Sequence, residues 1–116
     1  MQLEFSQAIA ALILYAPSLG YDGVTVGDFE RSLAECKADA AAGTGIVNSL
    51  HGIRLAADLN FFKGGDYVSD GSQLADIGAW WKAKVSPIPG AVYKWGGDIK
   101  SRPDGNHFSL SPDNRI

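Results

Sequence analysis

The chain has 116 residues, of which 46% are hydrophobic and 20% are charged, with a formal net charge of −3 at pH 7. These values fit one globular domain spanning residues 1–116, and the acidic balance without a Lys/Arg cluster argues against a nucleic-acid partner. The single cysteine excludes an internal disulfide.

Apolar residues near the N-terminus recur at helical spacing. They are Phe5, Ile9, Leu12 and Ile13. The pattern predicts a buried helix that ends before Pro17. The apolar run Ala8–Ala16 is far shorter than the ~20 residues of a membrane span. Glu4 stands where a signal peptide carries positive charge. We therefore expect neither membrane insertion nor an export signal.

The next segment predicts a turn, a strand and a second helix. Gly20–Gly23 is turn-like, and the strand begins at Val24 and runs toward Arg31. The capping box Ser32–Glu35 predicts the start of a helix that continues through Ala42.

Residues Ile53–Phe61 alternate as a half-buried strand does. The positions predicted to face the core are Ile53, Leu55, Ala57 and Leu59. Asp58 lies on the opposite face beside the small Ala56, which leaves room for an ion. His51 is an odd number of residues from Asp58, and Gly52 can supply the bend that brings both side chains to one face.

The C-terminal half predicts a hairpin, a helix and a final strand. Lys63–Asp66 is typical of a hairpin turn. The apolar spacing of Leu74, Ile77, Gly78 and Trp81 predicts a helix that ends near Lys84. A turn at Trp95–Asp98 precedes a strand that points Phe108 and Leu110 into the core. His107 and Ser109 would share that strand's other face. The predicted class is α+β, with helices packed on one side of a small antiparallel sheet.

The two histidines of the chain each lie near an acid, and together they form a candidate zinc site. The possible ligands are His51, Asp58 and His107. A catalytic zinc ion takes three such ligands and leaves a fourth position for water. Asp104, three residues before His107, would accept that water's proton. The pattern indicates a hydrolytic site with one Zn²⁺ ion.

Ser49–Asn60 resembles the first zinc motif of the zinc D-Ala-D-Ala carboxypeptidase/L-alanyl-D-glutamate endopeptidase family, which includes the VanX and VanY enzymes and many phage endolysins. Trp95–Asp98 and Arg102–Phe108 resemble its second motif, in the form found in compact phage lysis enzymes. Similarity extends from the N-terminal helix to Leu110. The resemblance implies a Hedgehog/DD-peptidase-like fold without a separate wall-binding domain.

The resemblance also implies roles for individual residues. The implied zinc ligands are His51, Asp58 and His107. Asp104 would be the general base, Arg31 would contact the substrate or the developing oxyanion, and Ser49 would support the first histidine or the peptide. The substrate would be the peptide stem of bacterial peptidoglycan, cut between L-Ala and D-Glu. The alternative reaction is removal of a terminal D-Ala.

Two positions depart from the family pattern. Many members carry Glu where this chain has Ser109, which predicts weaker zinc binding or another group in that role. Glu35 stands where relatives commonly show Gln, which weakens the expectation of a substrate contact there.

The sequence also allows two alternative hypotheses about function. Cys36 raises the possibility of a Cys-His hydrolase, although it lies inside a predicted helix without a clear means of lowering its pKa. The same fold could also be a non-catalytic module that binds cell wall. We expect a monomeric phage endolysin that waits in the host cytoplasm and reaches the wall after holin-type release. A virion-carried enzyme is the alternative.

Overall fold

The computed structural model describes residues 1–28, 50 and 54–113. The predicted helix through Ala42, the bend at Gly52 and the end of the strand near Arg31 lie outside this part of the chain. So do the predicted site residues Ser49 and His51.

The described part contains two α-helices, α1 (Gln2–Tyr15) and α2 (Ala75–Lys82). Short 3₁₀ turns span Ala16–Leu19, Gly71–Leu74 and Gly96–Asp98. Helix α1 ends before Pro17 as predicted, and it buries one face formed by Phe5, Ala8, Ile9 and Leu12. Helix α2 confirms the second predicted helix, with Ile77, Gly78 and Trp81 buried. Neither helix has the length and hydropathy that a transmembrane span requires.

Within the described residues, five antiparallel strands form one sheet. They are β1 (Gly23–Asp28), β2 (Ala56–Lys63), β3 (Asp66–Tyr67), β4 (Val92–Trp95) and β5 (His107–Ser111). The order is β1-β2-β5-β4, and β3 pairs with the end of β2. The predicted hairpin joins β2 to β3 through Gly64 and Gly65, whose φ values of 63° and 84° require glycine-like freedom.

Strand β2 begins later than predicted. Arg54 adopts a left-handed conformation with φ 58°, and the amide of Leu55 donates to the carbonyl of Leu50. Arg54 and Leu55 of the predicted strand therefore lie outside β2, which starts at Ala56. Ala56 is fully buried although it was predicted on the face away from the core, and the alternation holds from Ala57 onward. Ala57, Leu59 and Phe61 are fully buried, whereas Asp58 and Asn60 between them are half-buried.

Both helices pack on one face of the sheet. Trp81 of α2 contacts Phe108 of β5 edge-on with ring centroids 5.6 Å apart, and Phe5 of α1 meets Trp81 at 6.1 Å. Phe61 of β2 lies 5.8 Å from Phe108. The predicted α+β architecture, with helices on one side of an antiparallel sheet, is confirmed.

The opposite face of the sheet carries polar residues but is also partly covered. Ser109 is fully buried on the face that it shares with His107. Its hydroxyl oxygen has no hydrogen-bond partner among the described residues. This face is therefore a protected environment near the predicted metal ligands.

Candidate metal centre

Asp58 and His107 form a direct cross-strand pair between β2 and β5. Their neighbours Ala57 and Phe108 also pair and face the core, so alternation places Asp58 and His107 on the other face. The Oδ1 atom of Asp58 lies 3.6 Å from Nδ1 of His107. This distance is too long for a hydrogen bond and close to the roughly 3.3 Å between two ligand atoms of a tetrahedral zinc ion.

Asp104 joins this pair from the loop that leads into β5. One ligand atom from each of Asp58, Asp104 and His107 lies within 4.8 Å of the other two. Asp104 is exposed, Asp58 is half-buried and His107 is buried. The group therefore has one open side, where a substrate can approach.

The backbone of this loop sets the position of Asp104 relative to His107. The amide of His107 donates to the carbonyl of Asp104 at 3.1 Å, and the amide of Asp104 donates to the carbonyl of Gly96 at 2.9 Å. A side chain at Gly96 would collide with the Asp104 carbonyl and lie 2.6 Å from Cβ of His107. The close approach of the two segments therefore requires glycine at position 96.

Trp95 supports the same loop from the core side. Its side chain is buried, and its Nε1 donates to the carbonyl of Gly105 at 2.8 Å. The indole ring packs so closely on Gly78 and Gly97 that a Cβ atom at either position would overlap it. Trp95 therefore belongs to the core and also positions the loop that carries Asp104.

Asn106 fixes the loop against β2. Its side-chain Nδ2 donates to the carbonyl of Leu59 at 2.6 Å, and its own carbonyl accepts from the Leu59 amide at 3.0 Å. Leu59 follows Asp58 directly, so this double contact brings the Asp104 loop beside the metal-binding strand. Sequence reasoning missed this role, since an Asn after Gly signals only a turn.

The donor set fits a divalent metal. Two carboxylates and one imidazole are ligand types that zinc accepts, and their spacing allows all three groups to reach one ion. The geometry is compatible with Asp104 as a third ligand or as an acid beside the ion. The remaining predicted ligand, His51, lies outside the described residues, as do Arg31 and Ser49.

A recess of about 410 Å³ opens beside Asp104. One wall is Ser69–Ser72, and the other is formed by Trp95, Gly97 and Pro103–Asn106. We call this cavity the Asp104 recess. The recess shares Asp104 with the metal group, so the two adjoin.

Comparisons with known proteins identify the family of the chain and a protein of similar fold. A sequence model of the family described as D-alanyl-D-alanine carboxypeptidase matches residues 42–110. The crystal structure of Serratia marcescens L-Ala D-Glu endopeptidase ChiX is similar, with a TM-score of 0.57 and 24% sequence identity. The similarity covers 77% of this chain and 67% of that chain. No curated protein sequence matches the chain.

Proposed function

The chain belongs to the D-alanyl-D-alanine carboxypeptidase family, and we propose that it is a zinc-dependent peptidase that cuts the peptide stem of peptidoglycan between L-Ala and D-Glu. The observation that carries the proposal is the grouping of Asp58, Asp104 and His107 within 4.8 Å at the open side of the sheet. The endopeptidase activity named for the structurally similar ChiX supports the choice of bond.

Asp58 and His107 would hold the ion together with His51. A bound zinc ion polarises the scissile carbonyl and lowers the pKa of an attacking water. Asp104 would accept the proton of that water and deliver it to the leaving amine, as a general base and then a general acid. Its exposure and its backbone link to His107 suit a group that must reach both substrate and water.

Arg31 and Ser49 complete the proposed site from the family resemblance. Arg31 would contact the substrate or the oxyanion, and Ser49 would support His51 or the peptide. Ser109, where many relatives carry an acid, lies two residues after His107 on the same face of β5 and is fully buried. Its hydroxyl cannot supply the charge of that acid, so we expect weaker zinc binding than in such relatives.

The biological setting that we propose is lysis of a bacterial host. A compact monomeric endolysin would wait in the host cytoplasm and reach the peptidoglycan after a holin opens the membrane. The competing reaction is that of a carboxypeptidase, which the family description favours. The two reactions differ in the bond that is cut, which makes them separable by product mass.

The test uses a synthetic stem peptide, L-Ala-γ-D-Glu-L-Lys-D-Ala-D-Ala, incubated with the zinc-loaded protein and analysed by mass spectrometry. Release of free L-Ala supports the endopeptidase, and loss of one D-Ala assigns the carboxypeptidase instead. No cleavage by folded, zinc-loaded protein contradicts both and favours a wall-binding module. Inhibition by a thiol-blocking reagent without sensitivity to a chelator would point to Cys36.

A further inference from the structure

The Asp104 recess adjoins the metal group, and its far wall, Ser69–Ser72, contains none of the residues of that group. This segment connects the β2–β3 hairpin to α2, and residues Gly71–Leu74 form a 3₁₀ turn. A volume of about 410 Å³ lies within the range of small-molecule sites and accommodates an amino-acid side chain.

The two walls of the recess are held in close contact at its base. A Cβ atom at Gly71 would lie 2.8 Å from the Gly105 amide nitrogen, and a Cβ atom at Gly105 would overlap the Gly71 carbonyl. The carbonyl of Gly105 also accepts the Trp95 indole hydrogen bond. Since buried Trp95 anchors one wall and that wall contacts the other, the recess is a formed cavity.

Asp70 places a carboxylate on the far wall in a defined geometry. Its Oδ1 accepts from the Ser72 amide at 3.0 Å and from the Ser72 hydroxyl at 2.7 Å. These hydrogen bonds hold the pKa of Asp70 below its usual range, so the group is ionised at neutral pH.

The charge of the recess is negative. Among the described residues that line it, Asp70 and Asp104 are the ones that carry a formal charge. On the wall away from the metal group, the carboxylate of Asp70 therefore attracts a cationic group of a bound peptide.

We propose that the Asp104 recess binds a positively charged side chain of the substrate, with Asp70 as a specificity-determining residue for its ammonium group. This inference rests on the proposed function, because the stem peptide carries such a group on the diamino acid that follows D-Glu. The diamino acid is the second residue after the cut bond, and its side chain would reach the recess beside Asp104. The interaction would select for the free amine rather than contribute to bond cleavage.

Two peptides separate this role from general binding. They are L-Ala-γ-D-Glu-L-Lys and the same peptide with the lysine Nε acetylated, which removes the charge. The wild-type protein should cleave the free-amine peptide with about two- to fivefold higher kcat/KM, the range of an exposed ion pair. Asp70→Asn retains an acceptor for the Ser72 amide and should abolish this preference. Asp66→Asn, an exposed hairpin acid outside the recess, should keep it.

A binding experiment distinguishes failure of this proposal from failure of the proposed function. The dipeptide γ-D-Glu-L-Lys and its acetylated form lack the L-Ala–D-Glu bond, and amide chemical shifts of residues 69–72 report their binding. Selective shifts without cleavage of either longer peptide support the recess and overturn the proposed function. Cleavage with the same preference in wild type and Asp70→Asn overturns the recess alone. Neither cleavage nor binding overturns both.

Discussion

The indole Nε1 of Trp95 donates a hydrogen bond to the carbonyl of Gly105, 2.8 Å away, in a buried environment. Gly105 follows Asp104 directly, so the buried Trp95 side chain holds the backbone next to the Asp104 carboxylate. Because Trp95 also packs on Gly78 of α2, the position of the Asp104 loop depends on the packing of that helix.

Trp95→Phe should therefore affect stability and turnover together. The substitution keeps an aromatic ring but leaves a buried carbonyl without its donor, which costs about 1–3 kcal/mol in the free energy of unfolding. Urea denaturation and kcat measurements check this prediction. Trp80→Phe is the matched control, because Trp80 is partly buried and stacks on Tyr15 with centroids 4.6 Å apart. An equal loss of kcat in both variants would contradict the role of Trp95.

Asp104→Asn should remove the proposed base while preserving the size of the side chain. Turnover should fall about 10²- to 10⁴-fold, and zinc content measured by atomic spectroscopy should stay the same. Asp98→Asn is the control, since Asp98 pairs with Lys82 at 2.9 Å and lies outside the metal group. Loss of zinc in Asp104→Asn would show that Asp104 is a ligand instead.

Asp58→Asn and His107→Ala should lose zinc as well as activity. A ligand that binds only the folded state raises its stability, so the wild-type protein should melt at a lower temperature after chelation. The two variants should melt at temperatures that zinc does not change. Calorimetric scans with and without added zinc test this expectation, and a zinc-dependent rise in the melting temperature of both variants would argue against these ligands.

Ionisation of the Tyr21 hydroxyl should lower the stability of the fold at alkaline pH. This hydroxyl donates to Oδ1 of Asp76 at 2.6 Å, and burial together with this contact raises the pKa of Tyr21 above its usual 10.0. The raised pKa stabilises the fold fully below pH 10, and this contribution declines as the pH rises above 10. Urea denaturation from pH 8 to 11 should show a smaller decline in Tyr21→Phe than in the wild type. Tyr67→Phe, at an exposed position, should retain the wild-type decline.

Gly71→Ala should destabilise the wall of the recess. The new methyl group would meet the Gly105 backbone at 2.8 Å, and overpacking of this kind costs about 1–3 kcal/mol. Gly23→Ala places a methyl group where nothing lies within 4 Å and should change stability far less. Thermal unfolding of the two variants measures the difference, and equal melting temperatures would show that the two walls separate easily.

Local patterns in the sequence predict much of the fold. The period-2 alternation places Asp58 opposite the core residues, and the Gly-Gly pair marks the β2–β3 hairpin, because both depend on neighbouring residues alone. The family resemblance is confirmed by the match over residues 42–110. The predicted start of β2 is wrong, because Arg54 adopts a left-handed conformation in a turn that no local sequence pattern indicates.

The contacts that assemble the site could not be predicted in this way. Asn106 and Leu59 are 47 residues apart, and nothing in either segment specifies the other. The sequence around Trp95 does not distinguish a tryptophan that only fills the core from one that also hydrogen-bonds to the loop carrying Asp104. The alternation predicts which face of β5 carries Ser109 but not what covers that face and buries the side chain. The roles of His51, Arg31 and Ser49 stay predictions.

The most direct test of the account is zinc-dependent cleavage of purified peptidoglycan. Mass spectrometry of the soluble fragments would compare the zinc-loaded protein, the same protein after chelation, and the chelated protein with zinc restored. We predict soluble stem-peptide fragments that begin with D-Glu, with L-Ala left on the glycan, from the first and third samples, and none from the second. Equal cleavage in all three samples would contradict a metal centre at Asp58, Asp104 and His107.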